Sequence, residues 1–238
     1  MTEEKYEIAL HSLPETLVHE SKLDSGEKII IEKDEENRIE KAYLELNGKM
    51  HGQCRLFYPS GQVQAEMFYH ENCLHGPSIF FSETGAILSQ SWFFLGQQQG
   101  EILQFYLSGR PYSIQRYKDG KYHGKQEFFY EDGSVKTIMD YENGTLHGAV
   151  TLFWPHSILK REAYFVRGKR NGWDKLWNEK RVLVDEGEYS DGEPIGLHRR
   201  RYDNGKIMEE MDYRTPSDFD RKAWDEDGNL VCEEAKQC

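Results

Sequence analysis

Seven glycines stand in one column: Gly52, Gly76, Gly100, Gly124, Gly148, Gly172 and Gly196, each 24 residues after the last. No other feature restricts the fold so strongly. A second glycine precedes each by four residues, at Gly48, Gly96, Gly120, Gly144, Gly168 and Gly192, with Asn72 in the remaining copy. A fixed period of this size marks a repeat architecture, in which one unit cannot bury its apolar side alone and successive units stack to do so.

Each period has its own internal order. Five residues after the column glycine stands Phe57, Phe81, Phe105, Phe129, Phe153 or Trp177, and only Arg201 departs. Nine residues after it comes Gly61, Gly85, Gly109, Gly133 or Gly205, with Ser157 and Arg181 as exceptions. The residues before these glycines are Ser60, Thr84, Ser108, Asp132 and Asn204, all turn formers. Seventeen residues after the column glycine there is always an aromatic: Tyr69, Phe93, Tyr117, Tyr141, Phe165, Tyr189 and Tyr213. Val63, Met67 and Tyr69 share one parity, as do Val135, Met139 and Tyr141. Period two means strand. Each repeat therefore reads as strand, tight turn, strand and a glycine-bracketed loop. The Phe and late aromatic columns share a parity, which predicts one packed aromatic face.

The expected fold class is all-β: an elongated single antiparallel β-meander or solenoid of about seven to eight 24-residue β-hairpin repeats. At about 4.8 Å per strand, seven repeats of two strands would extend roughly 65–70 Å before twist. Residues 1–23 fall outside the period and form an N-terminal arm or cap. Tyr6, Ile8, Ala9, Leu10, Leu13, Leu17 and Val18 give it some helical spacing around Pro14. Residues 24–213 form the array, with 24–47 as a degenerate first copy: Ile29-Ile30-Ile31 a strand, Asp34 to Asn37 a turn, Ile39 to Leu46 a strand. Residues 214–238 are a degenerate last repeat, expected to cap the open edge.

Gly120-Lys121-Tyr122-His123-Gly124, followed by Phe128-Phe129-Tyr130-Glu131-Asp132-Gly133, resembles the MORN repeat. Gly144-Thr145-Leu146-His147-Gly148, followed by Leu152-Phe153-Trp154, is similar. The 24-residue spacing and the glutamates after the turn (Glu66, Glu162, Glu186, Glu210) look most like the bacterial MORN variant, a family often labelled as antitoxins. The match covers about residues 40–213. The resemblance implies scaffolds, lipid-associated modules or proteins of unknown role. No catalytic residue and no cofactor is expected.

Charge narrows the partners. The formal net charge is −12, and a nucleic-acid or anionic-membrane partner would call for a basic surface. No nucleic acid is expected, and a membrane or phosphoinositide role is the weaker alternative. The four cysteines, Cys54, Cys73, Cys232 and Cys238, follow neither the repeat nor any metal-binding spacing, so free thiols are expected. Residues 1–7 show no basic start followed by an apolar run, and no stretch approaches the roughly 20 apolar residues of a membrane helix. A cytoplasmic protein is expected; signal-less export leaves no mark in such a sequence.

Catalytic and metal chemistry find little support. His51, His75, His123 and His147 recur at one position, replaced by Gln99, Asn171 and Ile195. Successive copies lie two strands apart, about 9–10 Å, too far to share one zinc. Side-chain capping of the loop backbone explains the Gln and Asn substitutes better. Glu66, Glu162, Glu186 and Glu210 have the parity of the other, wetter face and read as solvated strand residues. No nucleophile, metalloprotease or phosphate-loop motif is present. Asp225-Glu226-Asp227-Gly228 reads as a turn.

Two surface features remain. Between Ala86 and Ser108 the only charge is Glu101, and Trp92 and Phe94 have the parity opposite to Phe93. With Leu95, Gln97, Gln98 and Gln99 they make an uncharged aromatic patch, which serves either as a protein interface or as a seat for the N-terminal arm. The second is His198-Arg199-Arg200-Arg201, read as a strand neutralised by Asp203, Glu209, Glu210 and Asp212. The expected function is a non-catalytic scaffold binding another protein through the β-groove and the Trp92 patch. An antitoxin-like role is the alternative.

Overall fold

The computed structural model describes residues 26–236; the arm expected over residues 1–23 and Cys238 lie outside them. The chain divides into two compact units, one up to Lys121 and one from Tyr122 onward. The first contains β1 (Lys28–Lys33), β2 (Ile39–Leu46), β3 (Lys49–Phe57), β4 (Val63–His70), β5 (Cys73–Phe81), β6 (Ile87–Phe94), β7 (Gln97–Phe105) and β8 (Pro111–Lys118). A two-residue strand, β9 (Lys121–Tyr122), falls at the divide. The second contains β10 (Gly124–Phe129), β11 (Val135–Glu142), β12 (Thr145–Trp154), β13 (Ile158–Val166), β14 (Lys169–Trp177), β15 (Leu183–Ser190), β16 (Glu193–Arg201), β17 (Ile207–Thr215), β18 (Asp218–Trp224) and β19 (Leu230–Lys236). From β1 to β8, and again from β10 to β19, every strand pairs antiparallel with the next in sequence. Each unit is therefore an up-and-down meander, and no α-helix occurs among the described residues.

Two kinds of turn alternate along each meander, except at the short 3-10 segment Pro155–Ser157 between β12 and β13 and at Pro216-Ser217 between β17 and β18. In the first, Tyr58 N–H donates to Gln62 O and Gly61 N–H to Tyr58 O, each at 2.8 Å, with Gly61 in the left-handed region at φ 84°. Arg181 takes the same place at φ 63° without being a glycine, and Asp225 to Asn229 repeat the pattern between β18 and β19. The second kind has two residues, such as Leu95-Gly96 at φ 46° and 81° between the paired Phe94 and Gln97. Positive φ at both central residues is what a type I′ hairpin turn requires. The earlier glycine of each repeat thus belongs to a tight turn, and no loop follows it.

The later, column glycine lies inside a strand, contrary to the loop expected for it. Met139 pairs with Val150 and Tyr141 with Leu146, so Asp140 alone faces His147, Gly148 and Ala149. This is a bulge, and Gly148 supplies its left-handed residue at φ 118°. A Cβ on Gly148 would stand 2.8 Å from Asp140 Cβ.

The register also corrects the single aromatic face. Gly52 pairs with Tyr69, Cys54 with Met67 and Leu56 with Ala65, so even numbers on β3 share a side with odd numbers on β4. Equal parity across this hairpin means opposite faces. Cys54, Ala65 and Met67 form one cluster with Tyr43, Leu56 and Tyr69 against them. Phe57 packs on the other side with Ala42, Leu44, Ile29 and Ile31. A column absent from the sequence reading ties neighbouring hairpins together: the Tyr58, Tyr130 and Tyr202 hydroxyls donate to Phe81, Phe153 and Trp224 carbonyls at 2.8–2.9 Å, and Trp154 Nε1 to Trp177 O at 3.0 Å.

Gly148→Ala and Gly172→Ala separate backbone strain from crowding. Both positions have positive φ, but nothing lies within 4 Å of a Cβ at Gly172. We expect G172A to lose about 1–2 kcal/mol through φ alone, and G148A to lose about 1–3 kcal/mol more through overpacking. Urea unfolding midpoints of the two variants check this.

Candidate interaction surface

The uncharged patch sits on the β6–β7 hairpin. Trp92 pairs with Gln99 and Phe94 with Gln97, which puts these four on one face, while Phe93 and Gln98 pair on the reverse. Pro77 of β5 flanks Trp92 from the other side. Trp92 is 43% exposed and Leu95, at the turn, 51%. Phe94 is half-buried, its ring centroid 5.0 Å from that of His75. Gln97 is exposed; Gln98 and Gln99 are half-buried. Gln99 is occupied by the next turn, donating to Asp119 Oδ1 at 2.9 Å and accepting from Asp119 N–H at 3.2 Å. The residues predicted as one patch therefore separate into an outward group (Trp92, Phe94, Leu95, Gln97), a residue on the reverse face (Gln98) and a turn cap (Gln99).

The same capping bond is made at three copies of the recurrent position, by one of its four histidines and by the Gln and Asn that replace it. His75 Nδ1 accepts from Leu95 N–H at 3.4 Å, Gln99 from Asp119 and Asn171 Oδ1 from Asp191 N–H at 3.4 Å. In all three the donor is the first left-handed residue of a two-residue turn. His70 on β4, not predicted to join this group, stands between two of the recurrent histidines. Its ring centroid is 5.0 Å from His51 and 5.7 Å from His75. Among the described residues no group of three or more His, Cys, Asp or Glu is arranged to hold a metal ion. Cys54 is buried, and burial pushes its thiol up to about 11.

In the second unit, the positions equivalent to Cys54 and Ala65 become polar and charged at Asp174, His198, Arg161, Asp185 and Glu209, while Val150, Ala163 and Met211 stay apolar. Arg161 bonds Asp174 through Nε at 2.8 Å and Nη2 at 2.5 Å, and Arg200 lies between Asp185 (3.4 Å) and Glu209 (3.5 Å). Burial raises the pKa of Asp185 despite Arg200 beside it. His198 is buried between Tyr189 and Tyr213, its Nε2 2.9 Å from Glu188 O. A Cβ on Gly187 would enter that imidazole, with Nδ1 only 2.2 Å away. Asp185, Tyr189, His198, Arg200 and Tyr213 border a cavity of about 220 Å³ also lined by Arg170 and Met211.

On the opposite face, the glutamates expected to be solvated are largely paired. Glu66 holds Arg55 and Glu210 holds Arg199, each at 2.8 Å; Glu186 holds Arg201 at 2.5 Å. An arginine at or next to the cross-strand position withdraws each carboxylate from water; Glu162 remains exposed. All three arginines of Arg199-Arg200-Arg201 thus have acidic partners. Sequence reasoning missed two exposed aromatics here: Tyr164 at 46% exposure and Trp173 at 49%. Trp173 was detectable as the one aromatic among the residues that follow the column glycines, otherwise Gln53, Pro77, Glu101, Lys125, Ala149 and Leu197.

Three segments, residues 50–71, 122–143 and 194–214, match the MORN repeat variant. No curated protein matches the chain. Among solved structures, the crystal structure of TcdB2-TccC3-Cdc42 aligns over 88% of this chain at 11% identity and a TM-score of 0.20. The Photorhabdus luminescens Tc holotoxin pore with the TccC3-D651A mutation aligns over 89% at 12% identity and 0.18. The chain spans 14% and 13% of those chains, and at such scores neither likeness carries fold or function across.

The Glu186–Arg201 pair, with side chains 14% and 17% exposed, is the best sheltered of these ion pairs. Glu186→Gln leaves a nearly buried guanidinium without its counter-ion and should cost about 2–3 kcal/mol, somewhat under the figure for full burial. Glu71→Gln, at the exposed Lys49 pair, should leave the unfolding midpoint essentially unchanged, because solvent screens that pair. Thermal unfolding of both variants distinguishes the two environments.

Proposed function

We propose that this chain, three segments of which match the MORN repeat variant, is a non-catalytic scaffold that binds a protein partner through the outward face of the β6–β7 hairpin. One observation carries this reading: Trp92 and Leu95 remain about half exposed on a stretch where Glu101 is the only charge between Ala86 and Ser108. An indole left in water beside an exposed leucine is a poor use of apolar surface in a free protein. Enclosed by a partner it becomes a strong anchor, because truncating such a residue typically costs 2 kcal/mol or more.

The hairpin suits this role because little of it needs to be ordered on binding. Trp92 and Phe94 lie on paired strands, and the turn that carries Leu95 is held by His75 and by Gly96 N–H donating to Leu74 O at 2.7 Å. A preorganised surface avoids much of the entropy cost of association. The fitting partner offers an uncharged, apolar surface, since neither Trp92, Phe94, Leu95 nor Gln97 provides an ionic contact.

Affinity capture from the native host, followed by binding measurements on the recovered partner, tests the proposal. Trp92→Ala should weaken binding by about thirtyfold or more, and Trp92→Ala with Phe94→Ala should abolish capture with the far-UV circular dichroism unchanged. Undiminished recovery by the folded double variant would remove this hairpin as the binding surface.

A further inference from the structure

Three turns are capped in the same way by three different side chains, and only one of these side chains titrates near neutral pH. His75, Gln99 and Asn171 each accept the N–H of the first residue in the following two-residue turn, Leu95, Asp119 and Asp191 respectively. Gln and Asn hold their acceptor oxygen at any pH. The imidazole accepts only while Nδ1 is unprotonated, which places its single proton on Nε2. A second proton converts the acceptor into a donor aimed at another donor. We infer that the His75 cap is an acid-sensitive latch on the Leu95 turn, so that the hairpin bearing Trp92 and Phe94 is held in shape at neutral pH and released on acidification. The inference rests on the proposed binding role of that hairpin and adds its regulation.

The surroundings of His75 favour the neutral ring. Only 6% of the residue is exposed, its ring packs on Phe94, and its Nε2 is buried with no hydrogen-bond partner. From β4 it faces His70, whose far side meets His51 of β3. At the adjoining turn Glu71 is paired with Lys49 and interacts with His70 and His51. From β6 it meets Phe94 and the Leu95 backbone, and neither carries a charge. Desolvation first, and His70 second, lower the His75 pKa from its ordinary 6.5. The sign follows: a folded-state pKa below the unfolded value means that the stabilisation is complete above pH 6.5 and is lost as pH falls through the lowered value.

Hydrogen exchange on the full-length ¹⁵N-labelled chain tests the latch without any partner. Between pH 7.5 and pH 5, the Leu95 amide should lose protection by roughly tenfold for each unit by which the His75 pKa is lowered. The Asp119 and Asp191 amides, capped by Gln99 and Asn171, should hold theirs. His75→Gln and His75→Asn copy the caps already used elsewhere in the chain and should make Leu95 protection independent of pH. His70→Asn removes the second cause of the lowered His75 pKa and should make the loss smaller. A Leu95 response no larger than that of Asp119, or an undiminished response in His75→Gln, overturns the latch. The binding proposal fails separately, through partner capture by the Trp92→Ala, Phe94→Ala variant.

Discussion

Pairs of left-handed residues at two-residue turns, repeated with the period of the sequence, are the constraint on which the rest of the structure depends. A type I′ turn fixes which residues oppose each other on the flanking strands, and a slip of one residue would exchange the two faces. Each turn is also tied to the strand preceding its hairpin. Gly96 N–H reaches Leu74 O in the first unit; Gly144, Gly168 and Gly192 reach Tyr122, Leu146 and Arg170 carbonyls in the second, all within 2.8 Å. The bulge at each column glycine then takes up the extra residues of the longer strand, as Gly148 does beneath Asp140.

Once the backbone sets the register, the side chains between the strands are free to change character. Cys54, Ala65 and Met67 make an apolar cluster. The corresponding region around Ser113, Gln104, Gln115 and Tyr117 is a hydroxyl and amide network with bonds of 2.8–3.4 Å. In the second unit Val150 and Ala163 keep the place apolar in part, and from Arg161 onward it is taken by Arg161, Asp174, Asp185 and Arg200. These solutions have in common that the polar groups find partners, without which their burial would be costly. Specific features can therefore be placed on individual repeats, the exposed Trp92 and the His75 cap among them, while the architecture is left intact.

The repeat was legible in the glycines, and the strands in the period-two apolar pattern, because both follow from local backbone preference. Asn47-Gly48 and Asn143-Gly144 even spell their turns outright, with φ of 53° and 78° and of 50° and 82°. What escaped was register. Parity counted along one strand says nothing of the next until the turn length is known, which is why Phe57 and Tyr69 were placed on one face and lie on two. Trp92 and Phe94 were legible as outward because only their own strand mattered. Gln98, Gln99 and His70 were not, because their roles depend on pairing across a strand boundary.

Cross-strand nuclear Overhauser effects in solution test the central claim most directly. The account predicts short inter-strand contacts joining Gly52 with Tyr69, Gly76 with Phe93 and Gly100 with Tyr117, and, in the second unit, Gly148 with Phe165, Gly172 with Tyr189 and Gly196 with Tyr213. Contacts displaced by one residue, or present in one repeat and missing from its neighbours, would contradict a register set by the turns.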